Sequence, residues 1–272
     1  MLDGALATLI DTSLVLFGGL VLLLLYIANE TGFQIGRLRG RRRTPHERDL
    51  AGIGTITTGM LGLLAFTLGL TINIAQARFE TRRNLVAQEA NAIETAWLRA
   101  KLIVGDEGPA IGALIEDFAK VELAYVSANS FAAEPGLISR QNALQAQIWQ
   151  AAQTVARRDP TSMTLSLASA LVDMFSAAQS ERFAFDSRVP ADLSWMLMGG
   201  SLLAIGAMGY HLGASGARQV VLTSLLLVMW AGGMVLIADL NRPRVGAIRV
   251  DPAPLRWTIQ GFAQTQGFDQ AR

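Results

Sequence analysis

Gly52, Thr55, Gly59, Gly62, Phe66, Gly69, Asn73, Gln76, Glu80 and Arg83 recur at spacings of three and four, so on a helix they would form one stripe. Apart from Phe66 the stripe is small or polar. Its hydroxyl, amide and charged groups suit binding or passing small polar species rather than breaking covalent bonds. If the helix lies in a membrane, the Asn73 and Gln76 amides cannot face lipid, because an unpaired amide in hydrocarbon costs roughly 4–8 kcal/mol. Two readings follow. Glycines let helix backbones approach closely, and small-residue stripes most often serve that purpose, so the pattern alone favours a packing face. The alternative is a pore lining in a symmetric assembly, with Phe66 as an apolar constriction and Asn73, Gln76, Glu80 and Arg83 as a polar vestibule.

Other chemistry is sparse. The chain has no cysteine, which excludes disulfides, thiolate nucleophiles and thiolate metal sites. His46 and His211 belong to no ligand-spaced motif and are expected at a loop or a span end. Glu80, Glu89, Glu94, Asp106, Glu107, Glu116, Asp117 and Glu122 stand mostly beside basic residues or on polar helix faces, and nearly all are expected on solvated faces rather than as catalytic pairs. With no Walker-type loop, nucleophile elbow, His pair or paired intramembrane acids, neither an enzyme, a cofactor nor a bound metal is expected.

The element that positions the stripe is a helix from Leu50 to about Val104. No charge interrupts it before Ala77, and the amphipathic run Arg78 to Lys101 follows without a proline. About 28 uncharged residues reach about 42 Å, more than the roughly 30 Å hydrocarbon core, so this helix crosses a membrane and continues beyond it. Leu61, Leu64, Leu68, Ile72 and Ala75 occupy its other side, which suits lipid or an apolar neighbour.

Around this helix the chain has 272 residues, is 51% hydrophobic and has a mean hydropathy of +0.34, as for membrane spans joined to an extramembrane part. The net charge of +1 points to no nucleic-acid partner. An all-α membrane protein is expected, with four transmembrane helices and an extramembrane helical bundle continuous with the second span. A first span runs from Thr12 to Asn29 and is read as retained, since Asp3 and Asp11 precede it and no Lys or Arg does. Residues 30–49 read as a polybasic loop containing Arg37, Arg39, Arg41, Arg42, Arg43 and Arg48. The third and fourth spans, Leu193 to Ala217 and Gln219 to Ala238, are expected as antiparallel neighbours about the Gly213–Gly216 stretch. The organisation is thus 1–77 for two spans and their connector, 78–192 for the bundle, 193–238 for two more spans, and 239–272 for a tail.

Within the bundle, Ile111, Leu114, Ile115, Phe118, Val121 and Tyr125 mark one helix, and Leu144, Ile148, Ala152 and Val155 mark another after a turn at Glu134–Gly136. After the Asp159–Pro160 break, Thr161 or Ser162 caps a helix whose face is Leu167, Leu171, Met174, Phe175 and Ala178. Asp239 and Arg242, at the membrane edge, read as a simple helix terminus, with a bridge from one of them to a neighbouring chain or to the long helix as the alternative. A short helix after Pro254 contains Leu255, Trp257, Ile259 and Phe262. The arginine-rich connector, with Arg218, favours a cytoplasmic connector and an external bundle.

At Gly62–Gly69, at Arg78–Arg99 and at Asp239-Leu-Asn-Arg-Pro-Arg-Val-Gly246 the chain resembles a bacterial bestrophin-like domain family, over nearly its whole length. It resembles the bestrophins more distantly. That resemblance implies a pentameric anion channel whose second span lines an apolar neck at Gly62–Gly69, with Phe66 as the neck aromatic, and a helical region in the cytosol. The acidic run of the animal calcium clasp is missing, so calcium gating is not implied. The resemblance turns the balance on the stripe towards a pore. The expected protein is an oligomeric channel of the bacterial inner membrane, in contact with lipid and passing small inorganic ions. The competing expectation is a non-conducting scaffold or sensor whose bundle binds a protein.

Overall fold

The computed structural model describes residues 13–42, 47–128, 134–187, 190–242 and 246–270. Expectations that fall on Asp3, Asp11, Thr12, Arg43, His46 and Arg244 lie outside them. The described residues form eight helices and no strand: α1 (Leu14–Arg42), α2 (Glu47–Lys101), α3 (Glu107–Val126), α4 (Glu134–Arg158), α5 (Ser162–Asp186), α6 (Ala191–Ser215), α7 (Val220–Leu240) and α8 (Ala253–Gln270). Four of them, α1, α2, α6 and α7, are long and apolar enough to cross a membrane. α2 has 55 residues and spans the boundary between the chain's two units. The chain divides into two compact units, Met1–Ala77 with Arg188–Arg242, and Arg78–Ser187 with Pro243–Arg272.

In the first unit α1 lies directly against α6. A Cβ on Gly32 or Gly36 would overlap the carbonyl oxygens of Gly206 and Tyr210, and one on Gly209 or Gly213 would overlap those of Asn29 and Phe33. Glycine is therefore required at both surfaces of this contact. This corrects the reading of residues 30–49 as a loop, because α1 runs on to Arg42 and carries Arg37, Arg39 and Arg41 on its last turns. Arginine is a good helix former, so a basic run need not be a loop, and the four-residue spacing of Gly32 and Gly36 is a close-packing face.

The turn between α6 and α7 forms as expected, with Gly216 in the left-handed region at φ 74°. The close backbone neighbour of these two helices is nevertheless α1, and α6 meets α7 through side chains, where Trp230 Nε1 donates to Ser201 Oγ at 2.8 Å. Leu61, Leu64, Leu68 and Ile72 of α2 pack onto the same apolar cluster, with Leu64 over Gly200 and Leu68 over Gly233. Asp239 and Arg242 are both buried rather than forming an open helix end, and the Arg242 N–H closes on the Asp239 carbonyl at 2.9 Å.

In the second unit the end of α2 and helices α3, α4, α5 and α8 enclose a core that includes Val86, Ile93, Trp97, Phe118, Ile148, Leu171, Met174 and Phe262. Trp97 stacks on Phe262 with ring centroids 4.7 Å apart and donates Nε1–H to Glu116 at 2.9 Å. The anticipated turn at Glu134–Gly136 is the first turn of α4, where Pro135 loses no intrahelical hydrogen bond. Thr161 caps α5, and its hydroxyl and the Thr164 backbone, like the Thr164 hydroxyl and the Thr161 backbone, pair reciprocally. At the other end of α5 the buried Arg82 donates to the carbonyls of Ala184 (2.9 Å) and Ser187 (2.6 Å), which satisfies acceptors that a helix terminus leaves open. Of the tail helix, Leu255 and Phe262 are buried and Trp257 is 68% exposed.

Candidate functional site

The stripe on α2 lies along one side of a continuous helix. Gly52, Thr55, Gly59, Gly62, Phe66, Gly69, Asn73, Gln76, Glu80 and Arg83 are all exposed in the single chain. An added Cβ at Gly52, Gly59, Gly62 or Gly69 would meet nothing within 4 Å, and Phe66 is 64% exposed. The Thr55 hydroxyl donates back to the Ala51 carbonyl at 2.9 Å, so it remains on its own helix. Leu61, Leu64, Leu68 and Ile72 on the opposite side meet the other spans. In its most apolar window α2 has only 6% of residues buried, against 22–28% for the other three spans, so the chain covers this helix least. Ile56, Leu63, Leu70 and Ile74 form a bulky exposed flank beside the small stripe.

A second constellation lies in the core of the bundle, where charged residues were not expected. Glu80, Glu94, Asp106 and Asp117 do reach solvent. Glu89 and Glu122 do not, and with Glu181 they are 0% exposed. They come from α2, α3 and α5, and one carboxylate oxygen of each lies within 4.8 Å of the others. Among the described residues, Glu89 and Glu122 have no hydrogen-bond partner for either oxygen. Burial pushes the Glu89 carboxyl well above the usual carboxylate range, and the charges of Glu122 and Glu181 add to it. Burial and then Glu181 do the same at Glu122, while the Arg182 charge and the nearby Gln141 amide pull the other way.

A sequence signal for this cluster exists. Glu122 continues the Ile111, Ile115, Phe118 stripe, Glu181 continues Leu171, Met174, Ala178, and Glu89 falls between Val86 and Ile93. Each acid occupies a core position of its own helix. Counting only apolar residues into the stripes hid them.

A membrane protein of four apolar helices joined to a helical bundle is the class these features define. The Bestrophin-like domain model matches residues 15–255, and the chain belongs to that family. In fold it is similar to a bacterial bestrophin homologue from Klebsiella pneumoniae, with a TM-score of 0.64 at 15% identity, covering 94% of this chain and 99% of that one. Two single-residue variants of that homologue match with TM-scores of 0.63 and 0.65 at 17% and 14% identity, over 94% and 92% of this chain and 100% and 97% of theirs. No curated protein matches the chain.

Proposed function

We infer that the protein is an oligomeric ion channel, passing anions, in which copies of α2 surround the pore. The observation that carries this reading is the exposure of the whole small and polar stripe while the leucines behind it are packed. Lipid is a poor partner for Asn73 and Gln76, so the stripe needs water or further copies of the same helix. In a ring of copies, Ile56, Leu63 and Leu70 have a small-residue flank of the next α2 to pack against, and Phe66 narrows the path. Membership of the bestrophin-like family supports the channel reading, five copies and anion passage. The amide donors of Asn73 and Gln76 and the guanidinium of Arg83 suit anions, with Glu80 opposing them.

Purified protein in planar bilayers is expected to conduct, and Phe66→Ala to widen or unlock the path and raise the current. Absence of current from folded wild-type oligomers, or currents indifferent to Phe66→Ala, would leave the stripe as the packing face of a non-conducting assembly. We place the arginine-rich end of α1 in the cytoplasm of a bacterial inner membrane and the bundle outside, by the weight of short-segment arginines. Because the chain has no cysteine, a Trp257→Cys variant carries a single thiol at an exposed site. A membrane-impermeant maleimide should label it in intact spheroplasts, and labelling only after lysis would reverse the orientation.

A further inference from the structure

The bundle core gathers buried carboxyl groups. Glu89, Glu122 and Glu181 enter it from three helices, and the Arg182 charge acts on Glu122 while its guanidinium donates to the buried Gln141 Oε1. Arg182 is only partly buried and answers at most one of three carboxylates. A carboxylate taken out of water without a partner costs several kcal/mol, and like charges this close raise the cost further.

Clustering alone would not point to a ligand, since acidic groups gather on many surfaces. Here the second observation is burial without hydrogen bonds: all four oxygens of Glu89 and Glu122 are enclosed and, among the described residues, accept from no donor within hydrogen-bond distance. Structural carboxylates in a core normally accept two or more N–H or O–H groups. Oxygens left bare and converging on one point suit a cation that occupies it.

We propose that Glu89, Glu122 and Glu181 hold one oxygen-preferring divalent cation inside the bundle. The separation fits, because oxygens on opposite sides of a Ca²⁺ ion at 2.3–2.6 Å stand about 4.6–5.2 Å apart, and adjacent ones stand closer. The observed oxygens lie within 4.8 Å of one another. Three carboxylates offer up to about six oxygens, as Ca²⁺ or Mn²⁺ prefers, and no thiolate or imidazole belongs to the set, which disfavours zinc. The ion would clamp the distal half of α2 to α3 and α5, and the site needs no conduction to exist.

The test uses the full chain in detergent micelles, stripped with EDTA and desalted. Mn²⁺ titration followed by electron paramagnetic resonance is expected to show about one tightly held ion per chain, displaced by Ca²⁺. Mn²⁺ should also raise the Tm of the wild type. Glu89→Gln and Glu122→Gln keep the side-chain shape and remove one repelling charge each, so their metal-free Tm should be at or above that of the wild type. Both should bind Mn²⁺ at least about tenfold more weakly and lose the metal-induced rise. Folded wild type that takes up neither ion and keeps its Tm overturns the proposal, as do variants that bind like wild type. A Tm that rises on acidification and never with metal assigns the cluster to shared protons and likewise overturns it. If a variant fails to fold, the wild-type stoichiometry alone decides.

Discussion

The two halves of α2 differ in whether any amide or charged side chain is buried. Towards the N-terminus, Thr55, Asn73 and Gln76 point out of the chain and leucines pack inward. Beyond Ala77 the same helix buries Arg82 and Glu89 among the apolar residues of the bundle. The difference lies in what surrounds each half. A membrane span has an apolar solvent, so its leucines lose little by facing either way, and its polar groups decide which side must meet water or protein. The bundle half has water outside, so a charged residue placed inside must be matched by a specific partner. For Arg82 that partner is the set of carbonyls at the end of α5. Glu89 has none among the described residues, which is the reason to look for a cation.

The largest way to break this contrast is to empty the bundle core. Trp97→Ala removes the ring stacked on Phe262 and should cost about 3–5 kcal/mol in denaturant unfolding, while leaving the helical content of the spans in place. Next come paired glycine changes that separate covered from uncovered helix surfaces. Gly36→Ala drives a methyl into the Tyr210 carbonyl and should lower stability by about 1–3 kcal/mol. Gly62→Ala meets open space within the chain, so monomer stability should hold, and any change should appear in oligomer stability or conductance. An equal loss of monomer stability at both sites would contradict the reading that α2 is uncovered.

Acid sensitivity sharpens the comparison on the bundle side. The carboxyls of Glu89 on α2 and Glu122 on α3 are raised by burial, with Glu181 on α5 adding repulsion and Arg182 on α5 opposing it at Glu122. Folded protein therefore holds protons that unfolded chain has released. The stability they give is full below the ordinary carboxylate pKa and is lost as pH rises through the raised values. Metal-free protein should melt at progressively lower temperature from the ordinary carboxylate range upward, and Glu122→Gln should flatten that slope. The smallest effect concerns the α5 cap: Thr161→Ala loses the reciprocal pairing with Thr164 and should cost about 1 kcal/mol without altering the stripe.

The physics of this chain made some of it legible without coordinates. Long uncharged runs and three- to four-residue periodicity sufficed for the four spans, for the passage of α2 out of the membrane half, and for the apolar faces of α3, α4 and α5, because hydropathy and period are properties of single helices. The stripe from Gly52 to Arg83 was legible for the same reason. Which surfaces meet was not. Gly32 and Gly36 looked like a loop until the carbonyls of α6 were found against them, and Glu89 and Glu122 looked like solvated acids until three helices converged on them. Periodicity assigns a residue to a face of its own helix. Only tertiary structure decides what that face is pressed against, and for a glycine or a carboxylate that neighbour determines its role.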